Sequence, residues 1–397
     1  SVAIANYEEV TMNVDGIPVL LTSLAVDTAN LRKSFVNLPT CIRRFEEVYG
    51  KHSFDRIGFN TVPFNSGAME HATNIAYPRY AISAGYKCSE TLYAHELAHH
   101  WWGNTITCKT QEDMWLNEGW ASYSERIFLE AVYGRERYDE DIEDNHRAVL
   151  QFAHVQDGDV LPVSGIGHAN TYGRHVYNKG ADMVHTLRGM MGDTSFFAAC
   201  ASFQQEYKFK DVTTEDMRQH FQLFTALSLS GFFNQWIKEA GFPHFDILYT
   251  KEVGDKYEVR IKQTPRFNEI KYTNVVDKVT AFSADWQRHD VQVVLMNSQQ
   301  SFVINCPFEP VYWSFDFDDL ISDAVTTDWA VIVDNTPITM SQGMMKKITA
   351  NVSPRDSILL RVEHHWAPAD GTYGAPTGAV ISRPRYWTVD GIWGDGT

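Results

Sequence analysis

The chain has 397 residues, a formal net charge of −16, and 44% hydrophobic and 13% aromatic residues. That length and apolar content support two or three domains with real cores, and the acidic balance argues against nucleic acid or an anionic membrane as partner. No apolar run approaches the roughly 20 residues of a membrane span, and the first residues do not read as a secretory signal.

In chain order, residues 1–22 alternate apolar and polar positions around Asp15-Gly16 and are predicted as strands, not as the opening of an independent fold. Ser89 is a candidate N-cap with Glu90 in the first turn, and Gly103-Asn104 is a stop, which frames a helix of roughly 13 residues. Thr110 with Asp113 reads as a capping box opening a second helix over 111–133 that Gly134 closes, with Glu118 expected in its second turn. Past about residue 246 the period changes. Tyr257–Ile261, Val275–Phe282, Val291–Met296 and Phe302–Ile304 are short β-type runs between turn residues, the pattern of an immunoglobulin-like sandwich. Trp329–Val333 and Ile358–Val362 add strands ahead of a Gly/Pro-rich stretch from Ala367 to Arg385. The five cysteines (41, 88, 108, 200 and 306) contain no CxxC pair, and Cys88 and Cys108, which flank the first helix, could bridge if a Thr105–Thr107 strand folds back beside it.

The chemistry concentrates in His95-Glu96-Leu97-Ala98-His99 and in Leu116-Asn117-Glu118-Gly119. Residues four apart share a helix face, so His95 and His99 can offer imidazole nitrogens to one metal ion. Glu118, after eighteen intervening residues, supplies a third ligand. Two imidazoles and a carboxylate form a catalytic zinc set, because a tetrahedral ion with three protein ligands keeps one position open. Glu96 is the candidate general base. A His-Glu-x-x-His match arises by chance on the order of a few per cent of the time in a chain with 15 histidines. The apolar setting of Leu97, Ala98, Trp101 and Trp102 argues against a solvated surface pair, since burying two partnerless imidazoles there is costly. His100 points about 100° away around the helix and is expected to pack or to support the ligands. Asn117 and Glu125 are candidates to orient ligands from behind.

These residues resemble the M1 zinc aminopeptidases, the gluzincins. Gly67-Ala68-Met69-Glu70-His71 is similar to that family's Gly-Ala-Met-Glu-Asn motif, and Val176-Tyr177-Asn178-Lys179-Gly180-Ala181 to the segment bearing its catalytic tyrosine. Thr213-Thr214-Glu215-Asp216, Phe232-Phe233-Asn234-Gln235-Trp236 and Gly241-Phe242-Pro243 resemble the helices that close its catalytic domain. The resemblance covers about residues 1 to 245. It implies an α+β multidomain fold: a thermolysin-like, mainly helical catalytic domain with a small β-sheet over 1–245. An Ig-like β-sandwich over 246–326 and a small β module or extended tail over 327–397 would follow.

The resemblance also implies one zinc ion per chain and peptide substrates with a free N-terminus. Glu70 would grip the α-ammonium group, with Gly67 and Ala68 letting backbone approach an extended peptide. Tyr177 would donate to the oxyanion, and Tyr172, five residues earlier, would line the same pocket. His71 stands where most members carry Asn, a variant that resembles a bacterial exported subgroup and points to a periplasmic or secreted protein. Members generally carry an N-terminal β domain before this point and a large helical domain after it, so the chain reads as a fragment. Two other readings share the zinc frame: an epoxide hydrolase, and a catalytically weak or inactive zinc-bound binding or adhesion module.

Overall fold

The computed structural model describes residues 3–83, 89–342, 345–349, 357–369 and 384–393. Strands β1 (Tyr7–Val14) and β2 (Ile17–Leu24) form a hairpin in antiparallel register from Tyr7↔Leu24 to Val14↔Ile17. Its two-residue turn is Asp15-Gly16, with φ of 50° and 99°. Both residues therefore adopt the left-handed conformation that a tight hairpin turn requires, and the Asn13 side chain accepts the Gly16 N–H at 2.9 Å. β3 (Ile57–Val62) and β4 (Ile75–Pro78) continue the sheet in parallel, in the order β1-β2-β3-β4. Five of the six β3 residues are buried, the mark of a strand covered on both faces.

Two compact units emerge: 1–142 with 163–184 and 193–226, and 143–162 with 185–192 and 227–397. In the first, the sheet is accompanied by helices α1 (Leu38–Tyr49), α2 (Glu90–Ala98), α3 (Glu118–Tyr133), α4 (whose full span is Asn178–Met191) and α5 (Thr214–Phe221). Short strands β5 (Ile106–Cys108) and β6 (Lys210–Val212) pair in parallel. An aromatic core fills the space around α1, α2 and α3. Trp102 stacks on Trp120 at 3.8 Å between centroids, and Tyr49 meets Trp101 and Trp102 at 6.4 and 5.4 Å.

Two helix boundaries differ from the sequence expectation. α2 is nine residues long rather than about 13. After Ala98 the carbonyls of His99, His100 and Trp101 accept from the N–H groups of Asn104, Thr105 and Ile106, which curls the chain into β5. The Thr110–Asp113 capping box does not form. Asp113 instead accepts from the hydroxyls of Ser164 (2.7 Å) and Thr214 (2.6 Å), and residues 111–116 make a tighter 3-10 turn. Glu118 is consequently the first residue of α3 rather than part of its second turn. The end at Gly134, with φ of 91°, falls where expected. A reciprocal capping box does occur at Thr213 and Asp216, opening α5.

The second unit is rich in antiparallel sheet. β7 (Phe245–Val253), β8 (Lys256–Gln263) and β11 (Gln299–Ile304) form one sheet in the order β11-β8-β7. β9 (Val275–Phe282), β10 (Arg288–Leu295) and β12 (Tyr312–Phe315) form another, ordered β10-β9-β12. β13 (Val325–Ile332), β16 (Ile358–His365) and β17 (Tyr386–Ile392) form the third, ordered β13-β16-β17. β14 (Ile338–Met340) and β15 (Met345–Ile348) make a separate ribbon. Phe282, Tyr312 and Phe317 share one apolar cluster with Leu359 and Ile392, so the β10-β9-β12 and β13-β16-β17 sheets contribute to one core. Most of the Gly/Pro-rich 367–385 stretch, and Cys88 with its expected bridge, lie outside the described residues.

Candidate metal centre

α2 carries His95 in its last turn and His99 as its C-cap one turn further on, and both side chains are buried, so both rings are held inside the protein. Their centroids lie 4.7 Å apart at 83° to one another. The first turn of α3 then brings Glu118 up to them. Its Oε2 lies 3.2 Å from His95 Nε2 and 3.3 Å from His99 Nε2. The other ring nitrogens face the protein: His95 Nδ1 donates to Glu125 Oε1 at 3.0 Å, and His99 Nδ1 donates to the Trp102 carbonyl at 3.0 Å. Those two contacts turn both Nε2 atoms toward Glu118.

The charges follow from this packing. Burial disfavours a charged His95, but hydrogen bonds to Glu118 and Glu125 outweigh it and raise its pKa to about 10 in the metal-free protein. His99 is raised in the same way, against its burial, by Glu118. Burial works against ionised Glu118 too, yet the two imidazoles hold it well below the usual carboxylate range. The protein has thus gathered a buried carboxylate and two rings that take up protons for want of another cation.

The donors fit a zinc ion. Three ligand atoms of His95, His99 and Glu118 all lie within 4.8 Å of one another, with Glu118 3.2 and 3.3 Å from the two imidazole nitrogens. Tetrahedral donors about 2.0–2.1 Å from zinc stand roughly 3.3–3.4 Å apart, close to the 3.2 and 3.3 Å between Glu118 and the two imidazoles.

Glu96 is 5% exposed and its Oε2 has no hydrogen-bond partner among the described residues. Burial, with Glu70 and Glu118 adding to it against the two histidines, raises its pKa to about 7. Tyr177, just ahead of α4, stacks parallel to His95 at 6.1 Å and 3°. Burial and then Glu118 push its phenol above the ordinary range, so it stays protonated. Its position is set by two glycines. A Cβ on Gly180 would come within 2.9 Å of the Gly119 Cα, and one on Gly119 within 3.0 Å of the Val176 carbonyl. Only bare backbone allows the starts of α3 and α4 to approach this closely, which brings Tyr177 beside Glu118.

Glu70 reaches the centre from the edge of the sheet. Met69 pairs with Ala76 of β4 through two backbone hydrogen bonds of 3.0 and 2.9 Å, and His71 N–H and carbonyl bond to Met69 and Asn74. Backbone contacts therefore hold this segment, and the His71 side chain is exposed. A cavity of about 510 Å³ is lined by Gly67, Ala68, Glu70, His95, Glu96, His99, Glu118, Tyr172 and Tyr177. Tyr172 stands at its mouth, 70% exposed. His100 lies on the other side of the helix, its Nδ1 2.9 Å from His52 Nε2. Asn117 sits at the N-cap of α3, packed where a Gly103 side chain would be.

Sequence reasoning passed over Thr91, Leu92, Ser122 and Arg126, which also line the cavity. The signal was present. Thr91 and Leu92 precede His95 by four and three residues, and Ser122 and Arg126 follow Glu118 by four and eight, all helix-face spacings.

Two histidines one turn apart, a glutamate from the next helix and an unpartnered glutamate between them define a His-Glu-x-x-His metallohydrolase type of site. The chain belongs to peptidase family M1: residues 35–236 match the Peptidase family M1 domain. Glutamyl aminopeptidase from Homo sapiens is 27% identical over 265 residues, 60% of this chain and 26% of that protein. Aminopeptidase N from Lactococcus lactis subsp. lactis is 25% identical over 202 residues, 45% of this chain and 23% of that protein. The chain spans about a quarter of the length of these curated relatives. Among solved structures, Legionella pneumophila aminopeptidase A in complex with aspartic acid aligns with a TM-score of 0.64 at 16% identity, over 80% of this chain and 38% of that one. A mutant M1 zinc metallopeptidase from Deinococcus radiodurans, bound to a Tyr-Ser-Ala substrate, gives 0.52 at 19% identity over 58% and 52%. Those two likenesses carry the fold.

Proposed function

We propose that the chain is the catalytic part of a zinc aminopeptidase that hydrolyses the first peptide bond of peptides with a free N-terminus. His95, His99 and Glu118 would hold one zinc, which when bound supplies a Lewis acid and brings a water pKa toward ~7. Glu96 takes the proton from the attacking water and passes it to the leaving amine. Tyr177, kept protonated by its surroundings, donates a hydrogen bond to the oxygen of the attacked carbonyl as charge develops there. Glu70 pairs with the substrate's α-ammonium group, which fixes the register so that only the first bond meets Glu96.

The observation that carries this reading is Glu96, buried with a free Oε2 in a cavity beside three convergent ligand atoms. A zinc that served structure alone needs no base there, and an unpartnered buried carboxylate costs stability. The test is metal analysis followed by hydrolysis of aminoacyl chromogenic amides. The expected result is a single zinc per chain, activity abolished by chelation and restored by zinc, and no cleavage of N-acetylated peptides. Zinc-loaded protein inert toward every N-terminal residue type would overturn the peptidase reading, and cleavage of acetylated peptides would overturn the exopeptidase part.

A further inference from the structure

The chain carries 50 acidic residues against 34 basic ones, and the β-rich unit nevertheless holds a group of cations with no acid beside them. Arg266, which follows β8, lays its guanidinium 4.4 Å from the Phe267 ring centroid and 5.1 Å from that of Trp366. Arg385, just ahead of β17, lies 5.2 Å from the same indole. Among the described residues neither arginine forms an ion pair. Arg266 Nη2 donates to the Leu150 carbonyl at 3.0 Å, and Nη1 is buried without a partner. Its backbone pairs twice with Phe242, at 3.0 and 2.8 Å, so the side chain starts from a fixed point.

His364 of β16 is the third member. It is fully buried, 4.3 Å from Trp366 and 4.4 Å from Trp387 between ring centroids, and stacks on the latter at 6°. Neither of its ring nitrogens has a partner among the described residues, which costs stability. Burial first, then Arg385, His365 and Arg266, lowers its pKa to about 4, and burial with Arg385 behind it lowers Arg266 to about 10. The members of the group therefore repel one another where they stand. Phe267 and Trp387 are exposed and Arg266 and Arg385 are half-buried, so the group is open to solvent at its edge.

We propose that Arg266, Arg385 and His364 form a phosphate-binding site in the β-rich unit. The proposal is independent of the peptidase reading. The rings engage the guanidiniums through their faces, which leaves the N–H forks for an oxyanion. Two guanidinium charges are balanced by one dianion, whereas a carboxylate balances only one. Arginine in place of lysine also suits the planar two-point grip on phosphate oxygens. The phosphate is either the free ion or the end of a phosphomonoester, since both present the same oxygens.

Calorimetry of the zinc-loaded chain at fixed ionic strength, with inorganic phosphate, phenyl phosphate and acetate as probes, is the test. One saturable phosphate event per chain is expected, at least tenfold tighter than any acetate event and unchanged after zinc is chelated. Phenyl phosphate binding more tightly than inorganic phosphate assigns the site to an ester, and the reverse order to the free ion. Arg266→Gln and Arg385→Gln should each weaken binding tenfold or more. Arg385 makes no hydrogen bond to the described residues, so its variant is expected to melt like the unaltered protein and to separate binding from folding. Absence of a phosphate event overturns the proposal. So does an event that chelation removes, which belongs to the metal centre, or one that acetate matches. An event that keeps its affinity in folded Arg385→Gln overturns it as well.

Discussion

The helical unit and the β-rich unit both bury carboxylates, and Asp316, Asp319 and Asp323 of the second are treated differently from Glu96 and Glu118 of the first. In the β-rich unit the oxygens of Asp323 accept the N–H groups of Phe245 and Val325, each at 3.0 Å. Asp316 accepts from Leu320 at 2.6 Å and Ile321 at 3.1 Å, and Asp319 from the Thr327 hydroxyl at 2.5 Å. Burial, with neighbouring carboxylates behind it, pushes Asp316 up to about 7 and Asp319 and Asp323 upward as well. These acids tie loops and strand ends together. In the helical unit Glu118 meets two imidazoles, and Glu96 Oε2 has no hydrogen-bond partner among the described residues. Where donors take up the oxygens of a buried acid, the acid serves the fold; where an oxygen is left without a donor beside converging ligand atoms, as in Glu96, it is available for chemistry.

The largest expected effect tests that contrast directly. Glu96→Gln keeps the shape and removes the proton acceptor, so turnover should fall about 100- to 10,000-fold while zinc content stays unchanged. Near-normal turnover in this variant would place the base elsewhere. Tyr177→Phe comes next, with an expected loss of about 100- to 1,000-fold in kcat and little change in KM, because the hydroxyl is needed only as charge develops. An equal rise in KM would mean that the phenol binds ground-state substrate instead.

Much of the centre was legible in the sequence because helical periodicity alone aligns His95 and His99. Strand positions such as Val275–Phe282 were legible for a different local reason, since β-branched residues between turn formers have few alternatives. The failures share a cause. Thr110 and Asp113 have the spacing of a capping box, but Asp113 finds the hydroxyls of Ser164 and Thr214, 51 and 101 residues away. β12 and β17 owe their pairing to partners about thirty residues or more away at most positions, in β9 and β16, and carry little local pattern. The Gly119–Gly180 contact was invisible too, because a glycine that permits a close approach looks in sequence like any other glycine.

A smaller effect, about tenfold per pH unit, concerns the protons that stand in for the metal. His95 has a metal-free pKa of about 10 and His99 is also raised, against an ordinary 6.5. Raised values mean that these rings contribute stability fully below pH 6.5 and lose that contribution as pH climbs toward 10. Zinc needs the neutral rings, so each proton displaced makes apparent affinity rise about tenfold per pH unit over that window. Calorimetry in buffers of different ionisation enthalpy should show proton release on binding. Affinity independent of pH from 6.5 to 9 would mean that the rings are already neutral and that the Glu118 contacts are weaker than the distances indicate.

The smallest effect on the site should come from the other side of the comparison. Asp323→Asn keeps one carbonyl oxygen for Phe245 or Val325 but turns an amide N–H toward the remaining donor. A buried hydrogen bond is lost and two donors face each other, at a cost of about 1–3 kcal/mol of unfolding free energy. Zinc affinity and turnover of the folded protein should stay within about twofold, because the acid serves only its own backbone neighbours. Denaturant melts and zinc titrations on one preparation separate the two readouts. A variant that melts normally but loses zinc would show that buried acids in the β-rich unit are not merely structural, and the line drawn between the two regions would have to be abandoned.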